Sequence, residues 1–137
     1  MSKILPSECD VFIQVWIDVN EVAESSEGQG TYLVDNRVGM GSTNEGTTGL
    51  VTACSLNARV CWNMITVDPN AEVTQLQIAA IGNCNAWGPS GQPEAVEGTS
   101  GTVFTGQVEN GGQAGYLLTL NVNGVTYSIT PSVNVTS

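Results

Sequence analysis

Four acidic residues form the first candidate for chemistry in this chain. Asp18, Glu21, Glu24 and Glu27 recur every third residue, and carboxylate oxygens are the ligands that calcium prefers. Calcium needs roughly six to eight oxygens, and an EF-hand loop has a glycine at its sixth position, where this segment has Ala23. Like charges at this spacing also disfavour a helix. We therefore expect a solvated acidic loop over residues 20–30 and no metal site.

Nucleophilic catalysis lacks its usual partners. The chain contains no histidine, so neither a Ser-His-Asp nor a Cys-His arrangement can be built. Paired carboxylates of the glycosidase type need a sizeable cleft, for which 137 residues leave little material. We expect a protein that is not an enzyme and that needs no cofactor.

The cysteines Cys9, Cys54, Cys61 and Cys84 lack CxxC spacing, and no histidine is available to complete a zinc site. No secretory signal precedes them, which favours reduced thiols. A hairpin around residues 55–58 could bring Cys54 close enough to Cys61 for a disulfide. Buried free cysteines, acting as small apolar side chains, are the favoured interpretation.

One loop places a large aromatic ring among amides. Residues 83–93 contain Asn85, Trp87 and Gln92 between glycines and prolines. Such a ring can fold back as a lid over the core, contact a second copy of the chain, or stack on a sugar. The lid is favoured, and the two contact roles stay open. On either contact role, Trp62→Ala would damage folding more than Trp87→Ala.

Charge excludes two classes of partner. Thirteen acids face only Lys3, Arg37 and Arg59, which gives a formal net charge of -10. Nucleic acids and anionic membranes repel such a surface, so neither is an expected partner. With no signal peptide and no apolar run of membrane-spanning length, we expect a cytoplasmic bacterial protein, with export without a cleaved signal as the alternative.

Alternating apolar residues predict the elements. From residue 10 to 19 apolar side chains occupy every second position, which predicts a strand with one buried face. Further strands are predicted at 31–35, 49–54, 59–67, 73–81, 102–108, 116–122, 125–130 and 133–135. Asn123-Gly124 predicts a type I′ hairpin, because both central residues of that turn need positive φ. The loops are expected at 20–30 and 82–100.

These elements predict one all-β domain over residues 1–137, an antiparallel β-sandwich of about seven to nine short strands. No segment shows a sustained helical period, and glycines are spread among the connectors.

Several segments of the first half then carry a resemblance. They are DVFIQVWID at 10–18, YLVDN at 32–36, GSTNEGT at 41–47, LVTAC at 50–54 and the tryptophan-containing strand that ends in Asp68-Pro69. Together they resemble the PixA/AidA family of bacterial inclusion-body and quorum-regulated proteins. The resemblance implies a β-sandwich that accumulates and associates with itself, as a homo-oligomer or an inclusion.

The motif residues with a structural or functional role to assign are Tyr32, Asp35, Asn36, Glu45, Gly46, Trp62, Asp68 and Pro69. Turn chemistry accounts for most of them, since Asp and Asn close strands through Asx-turns, glycine permits reversal and proline fixes φ. None is a catalytic fingerprint. The alternative function is a small lectin-like module that binds a glycan, because sandwiches host both kinds of protein.

Overall fold

The computed structural model describes residues 2–24 and 29–136, and within them the chain forms eleven strands. The strands are β1 (Val11–Ile17), β2 (Thr31–Asp35), β3 (Val51–Ser55), β4 (Arg59–Thr66), β5 (Leu76–Ile81), β6 (Glu94–Ala95), β7 (Val103–Gln107), β8 (Gly112–Gly115), β9 (Leu118–Val122), β10 (Val125–Ile129) and β11 (Ser132–Thr136). One α-helix, α1 (Val19–Glu24), and 3-10 turns at Pro6–Glu8 and Val38–Met40 complete the described elements.

The strands form a five-stranded sheet in the order β2-β1-β4-β7-β6 and two three-stranded sheets, β10-β9-β5 and β3-β11-β8. Buried side chains from all three sheets meet in one core, which confirms the predicted β-sandwich class. Two pairings, β1 with β4 and β3 with β11, are parallel. This differs from the expected antiparallel pairing, because the chain crosses to another sheet through β3 before β4 returns beside β1.

The alternation in β1 is confirmed. Its odd-numbered side chains, Val11, Ile13, Val15 and Ile17, are fully buried, whereas Phe12 is 38% exposed. The five-stranded sheet therefore has one face packed in the core and an outer face on the opposite side.

An aromatic cluster fills the centre of the core. The rings of Trp62, Trp87 and Tyr116 meet edge to face, with centroids 5.4–5.8 Å apart. Trp62 Nε1 donates to the Tyr116 hydroxyl at 3.1 Å, and burial raises the pKa of that hydroxyl. Each edge-to-face pair adds about 0.5–1.5 kcal/mol beyond the burial of its area. The Trp87 loop is therefore anchored in the core by its ring.

The segment after β1 begins with the helix α1. The prediction of a loop over residues 20–30 is therefore wrong for residues 20–24. Asp18 Oδ1 accepts a hydrogen bond from the Glu21 amide at 3.4 Å, close to the geometry of an N-cap. Val19 and Val22 lie one turn apart and are both buried. Their burial outweighs the repulsion between acidic neighbours. Glu27 lies outside the described residues.

Two short strands, β6 and β8, were not predicted. β6 interrupts the expected loop over 82–100 and pairs with β7, and β8 is Gly112–Gly115, paired with β11. Neither has an alternating apolar pattern, so only their partners identify them. The expected Asn123-Gly124 turn is confirmed, with φ of 49° and 87°.

Candidate functional site

The outer face of the five-stranded sheet is a partly exposed surface of aromatic, aliphatic and amide side chains. It is defined here by Phe12, Gln14 and Trp16 of β1, Tyr32 and Val34 of β2, Asn63 and Ile65 of β4, and Val103 of β7. No carboxylate or basic group occurs among them, and the charged residues on the same side of the sheet, Arg59 of β4 and Glu94 of β6, lie outside this set. On a chain of net charge -10, this is a charge-poor patch.

The strand register arranges this face in rows. Trp16 lies between Tyr32 and Ile65, and the Tyr32 ring is 44% exposed. In the next row Gln14 lies between Val34 and Asn63. Trp16 Nε1 donates to Gln14 Oε1 at 3.2 Å, which joins the two rows and fixes the orientation of the indole.

Two grooves flank Phe12 and Gln14. The larger, of about 260 Å³, is lined also by Pro6, Cys61, Asn63 and Val103. The smaller, of about 190 Å³, is bounded by Val34, Asp35 and Asn36. The outer face is therefore ridged rather than flat, and the smaller groove leads to the motif residues after β2.

Residues 2–9, named here the N-terminal strap, cover one side of the outer face. Thr105 Oγ1 of β7 donates to the Ile4 carbonyl at 2.8 Å, and the Ser2 amide donates to the Ala95 carbonyl at 2.8 Å. The Glu8 carboxylate lies 3.6 Å from the Arg59 guanidinium. Thr105 is fully buried under this strap.

A polar corner follows β2. The Asp35 amide donates to Glu45 Oε1 at 2.9 Å, and Asp35 Oδ1 accepts from the Arg37 amide at 2.8 Å. The Arg37 guanidinium donates to the Asp10 carbonyl at 2.7 Å and lies 3.5 Å from the Asp10 carboxylate. Asn36 Oδ1 accepts from the Phe12 amide at 2.9 Å and so continues the β1–β2 ladder.

The second oxygens of Asp35 and Glu45 are buried and have no donor among the described residues. Their carboxyl groups contact one another, and desolvation together with the Asp35 charge raises the pKa of Glu45. Protonation of Glu45 would supply a donor between these two oxygens. The corner is thus an acid pair that takes up a proton more readily than an exposed glutamate does.

The remaining motif residues serve the backbone. The Gly46 amide donates to the Leu33 carbonyl at 2.6 Å, at a φ of 84° that favours glycine. Asp68 Oδ1 accepts from the Asn70 amide at 2.9 Å and closes the turn that contains Pro69. That turn follows the opposite end of β4 from Cys61, so the structure does not bring Asp68 and Pro69 to the polar corner.

The Trp87 loop is a lid, and the surface-contact roles considered for its ring do not fit the structure. Trp87 is fully buried, and its Nε1 donates to the Gly82 carbonyl at 3.0 Å. Gln92 Nε2 donates to the Ile81 carbonyl at 2.6 Å, and the Asn85 carbonyl accepts from the Asn110 side chain at 2.6 Å. A Cβ at Gly91 would collide with the backbone of Gln107, so only glycine lets the loop lie against β7.

Within residues 2–24 and 29–136, no cluster of three or more potential metal-ligating side chains occurs. None of the helices found in the same residues has the length and apolar character needed to span a bilayer.

Comparison with known families identifies residues 9–128 as a match to the family described as a domain of unknown function, DUF8788. The chain belongs to this family. No curated protein sequence matches this DUF8788 member.

Among solved structures, the DUF8788 chain resembles the crystal structure of the inclusion body protein PixA from Burkholderia cenocepacia J2315. The TM-score is 0.64 at 10% identity, and the alignment covers 98% of this chain and 100% of that chain. The resemblance inferred from the sequence is thus supported at the level of the fold.

Sequence reasoning identified the polar corner as motif residues but assigned no role to the outer face. The available signal was the second set of alternating residues in β1, Phe12, Gln14 and Trp16, which are too apolar for an ordinary solvated face. The partners of that set, Tyr32, Asn63 and Val103, lie on three other strands, so their convergence depends on sheet order.

Proposed function

We propose that this DUF8788 protein is a non-enzymatic, accumulating protein that associates with itself through the outer face of its five-stranded sheet. The observation that carries the proposal is the charge-poor aromatic and aliphatic surface on a chain of net charge -10. Two copies repel each other least where neither presents carboxylates. The fold shared with an inclusion body protein supports the same function.

The test is a charge placed at an exposed position on the β2 edge of the face. Tyr32→Glu puts a carboxylate at an exposed ring, and sedimentation or light scattering then measures association as a function of concentration. We expect the variant to stay monomeric at concentrations where the natural chain associates. Leu117→Glu is the matched control, because Leu117 is 47% exposed, close to the 44% of Tyr32, but lies beside β9 in another sheet.

Equal association of the natural chain and Tyr32→Glu would exclude the outer face as the contact. A natural chain that remains monomeric up to its solubility limit would exclude self-association altogether.

A lectin-like module is the second candidate, and two adjacent rows of the outer face favour it. Trp16 and Tyr32 are cross-strand neighbours, and Gln14 and Asn63 supply amides in the next row. Aromatic faces stack on sugars while amides bond to hydroxyls. A glycan array with Trp16→Ala as the comparison tests it: saccharide binding by a monomer that the substitution abolishes would favour the lectin over the assembling protein.

A further inference from the structure

Two cysteines from distant parts of the chain meet under the N-terminal strap. Cys9 follows the 3-10 turn of the strap, and Cys61 lies on β4 two residues after Arg59. Their side chains are in contact, and the Cys9 thiol donates to the Leu5 carbonyl oxygen at 3.6 Å. Cys61 is 3% exposed. The Cys54–Cys61 disulfide considered as the alternative to free cysteines relied on a hairpin between β3 and β4, and these strands belong to different sheets.

The backbones that carry these thiols are held side by side. The Asp10 amide donates to the Arg59 carbonyl at 3.2 Å, and the Arg59 amide donates to Asp10 Oδ1 at 3.1 Å. The next residue, Val11, pairs with Val60 in the parallel ladder. The Glu8–Arg59 ion pair holds the strap from the other side. The segments that carry the two cysteines are therefore held against each other.

We propose that Cys9 and Cys61 form a redox-active dithiol, which a hydroperoxide oxidises to an intramolecular disulfide that fixes the N-terminal strap to β4. A disulfide requires the two sulfurs to approach to about 2.05 Å with Cβ atoms about 3.5–4.5 Å apart. The side chains are already in contact, so the proposed oxidation requires the two sulfurs to close to that distance. The oxidised form would keep Pro6 in place at the rim of the larger groove.

The reaction balances as a two-electron oxidation. Cys61 sulfur, reached through the larger groove, attacks one peroxide oxygen; the O–O bond breaks, leaving a sulfenic acid and, from hydrogen peroxide, one water. Cys9 sulfur then attacks the Cys61 sulfur, the S–S bond forms, and the sulfenic oxygen leaves as a second water. Two thiol protons and two thiol electrons are consumed in reducing one peroxide.

Electrostatics distinguish this pair from the other buried cysteine. The side-chain contact with Cys9 lowers the pKa of Cys61, and the same contact raises the pKa of Cys9. The thiolate is the nucleophilic form, so Cys61 is the attacking sulfur. Burial instead raises the pKa of Cys54 to about 11, which leaves Cys54 unreactive.

The experiment exposes the reduced full-length chain to hydrogen peroxide, blocks the remaining thiols with iodoacetamide and maps the peptides by mass spectrometry. We expect a loss of two hydrogens and a cross-linked peptide joining Cys9 to Cys61. The melting temperature should rise by about 5–10 °C, since the bond closes a long loop, and dithiothreitol should reverse both changes.

Cys9→Ser removes the resolving thiol, so Cys61 should stop at a sulfenic acid that dimedone labels. Cys84→Ser is the matched control and should still form the disulfide. Alkylation of both Cys9 and Cys61 in the natural chain after peroxide treatment, or a disulfide between any other pair, would overturn the proposal. This result does not depend on whether the variants fold.

Discussion

At the scale of single residues, burial decides which of the motif positions can act outside the molecule. Trp62 and Trp87 are both fully buried and share one aromatic cluster, while Tyr32 is 44% exposed. Asp35 and Glu45 lie between these extremes, with one oxygen each bonded to a backbone amide and one each buried without a donor among the described residues. The tryptophans therefore affect stability, Tyr32 affects contacts, and the acid pair responds to pH.

The tryptophan substitutions should be equally damaging, in contrast to the unequal effects expected for a surface ring. Trp87→Ala and Trp62→Ala each remove a fully buried ring and its edge-to-face neighbours, so each should lower the free energy of unfolding by about 3–5 kcal/mol. Urea titration followed by circular dichroism measures both. Trp16→Ala, on the outer face, serves as the control and should cost much less. A Trp87→Ala variant close to natural stability would contradict the lid.

The acid pair should make stability depend on pH. Because the pKa of Glu45 is raised in the folded state, its protonation favours folding below its ordinary value of 4.5, and this contribution is lost as the pH rises through the folded pKa. Glu45→Gln keeps an acceptor for the Asp35 amide and removes the charge. We expect it to stabilise the protein at pH 7, by less than about 1 kcal/mol because the group is partly solvated, and to flatten this part of the pH profile.

Thermal unfolding of Glu45→Gln at steps between pH 4 and 8 measures the effect. Glu97→Gln removes one exposed carboxylate elsewhere and controls for net charge. Parallel profiles for the natural chain and Glu45→Gln would show that the two carboxyl groups do not share a proton.

At the scale of elements, local pattern predicted most strands, while their neighbours depended on the whole chain. β1 and β2 follow from alternation, and the β9–β10 hairpin from Asn123-Gly124. The parallel pairing of β1 with β4 could not be predicted from the sequence of either strand. An alternating strand has one buried face whether its neighbour is parallel or antiparallel. The polar corner was visible as turn residues. The outer face and the thiol pair could not be predicted, because their residues come from separate segments that only the order of strands in the sheet brings together.

The β9–β10 turn also binds the segment before β5, so substitution of Asn123 should lower the free energy of unfolding. Asn123 Oδ1 accepts from the Thr74 and Gln75 amides, at 2.7 Å and 3.0 Å, and so ties the turn to the segment before β5. Asn123→Ala loses these bonds and places alanine at positive φ, so the free energy of unfolding should fall by about 2 kcal/mol. Asn123→Gly keeps the permitted φ and isolates the hydrogen bonds. Chemical denaturation of both variants measures the two contributions, and an unchanged Asn123→Ala would show that the tie is not stabilising.

At the scale of the whole molecule, the distribution of charge matters more than its total. Arg37 forms an ion pair with Asp10 and Arg59 forms one with Glu8, at the polar corner and the N-terminal strap. The remaining acids give the chain its strong negative charge, yet the centre of the outer face has none. Long-range repulsion and a short-range contact surface therefore coexist, and solution conditions should set which of them prevails.

Self-association should accordingly increase when repulsion is weakened in either of two ways. Lowering the pH towards the sequence pI of about 4.1 protonates carboxylates and removes net charge. Raising sodium chloride to about 1 M at pH 7 shortens the screening length from about 10 Å to about 3 Å and leaves the carboxylates ionised. Light scattering across both titrations should show growing particle mass in each, with circular dichroism reporting that the chain stays folded in the salt series. Growth in acid alone would point to acid unfolding rather than to the outer face, because salt screens the same repulsion without altering any protonation state.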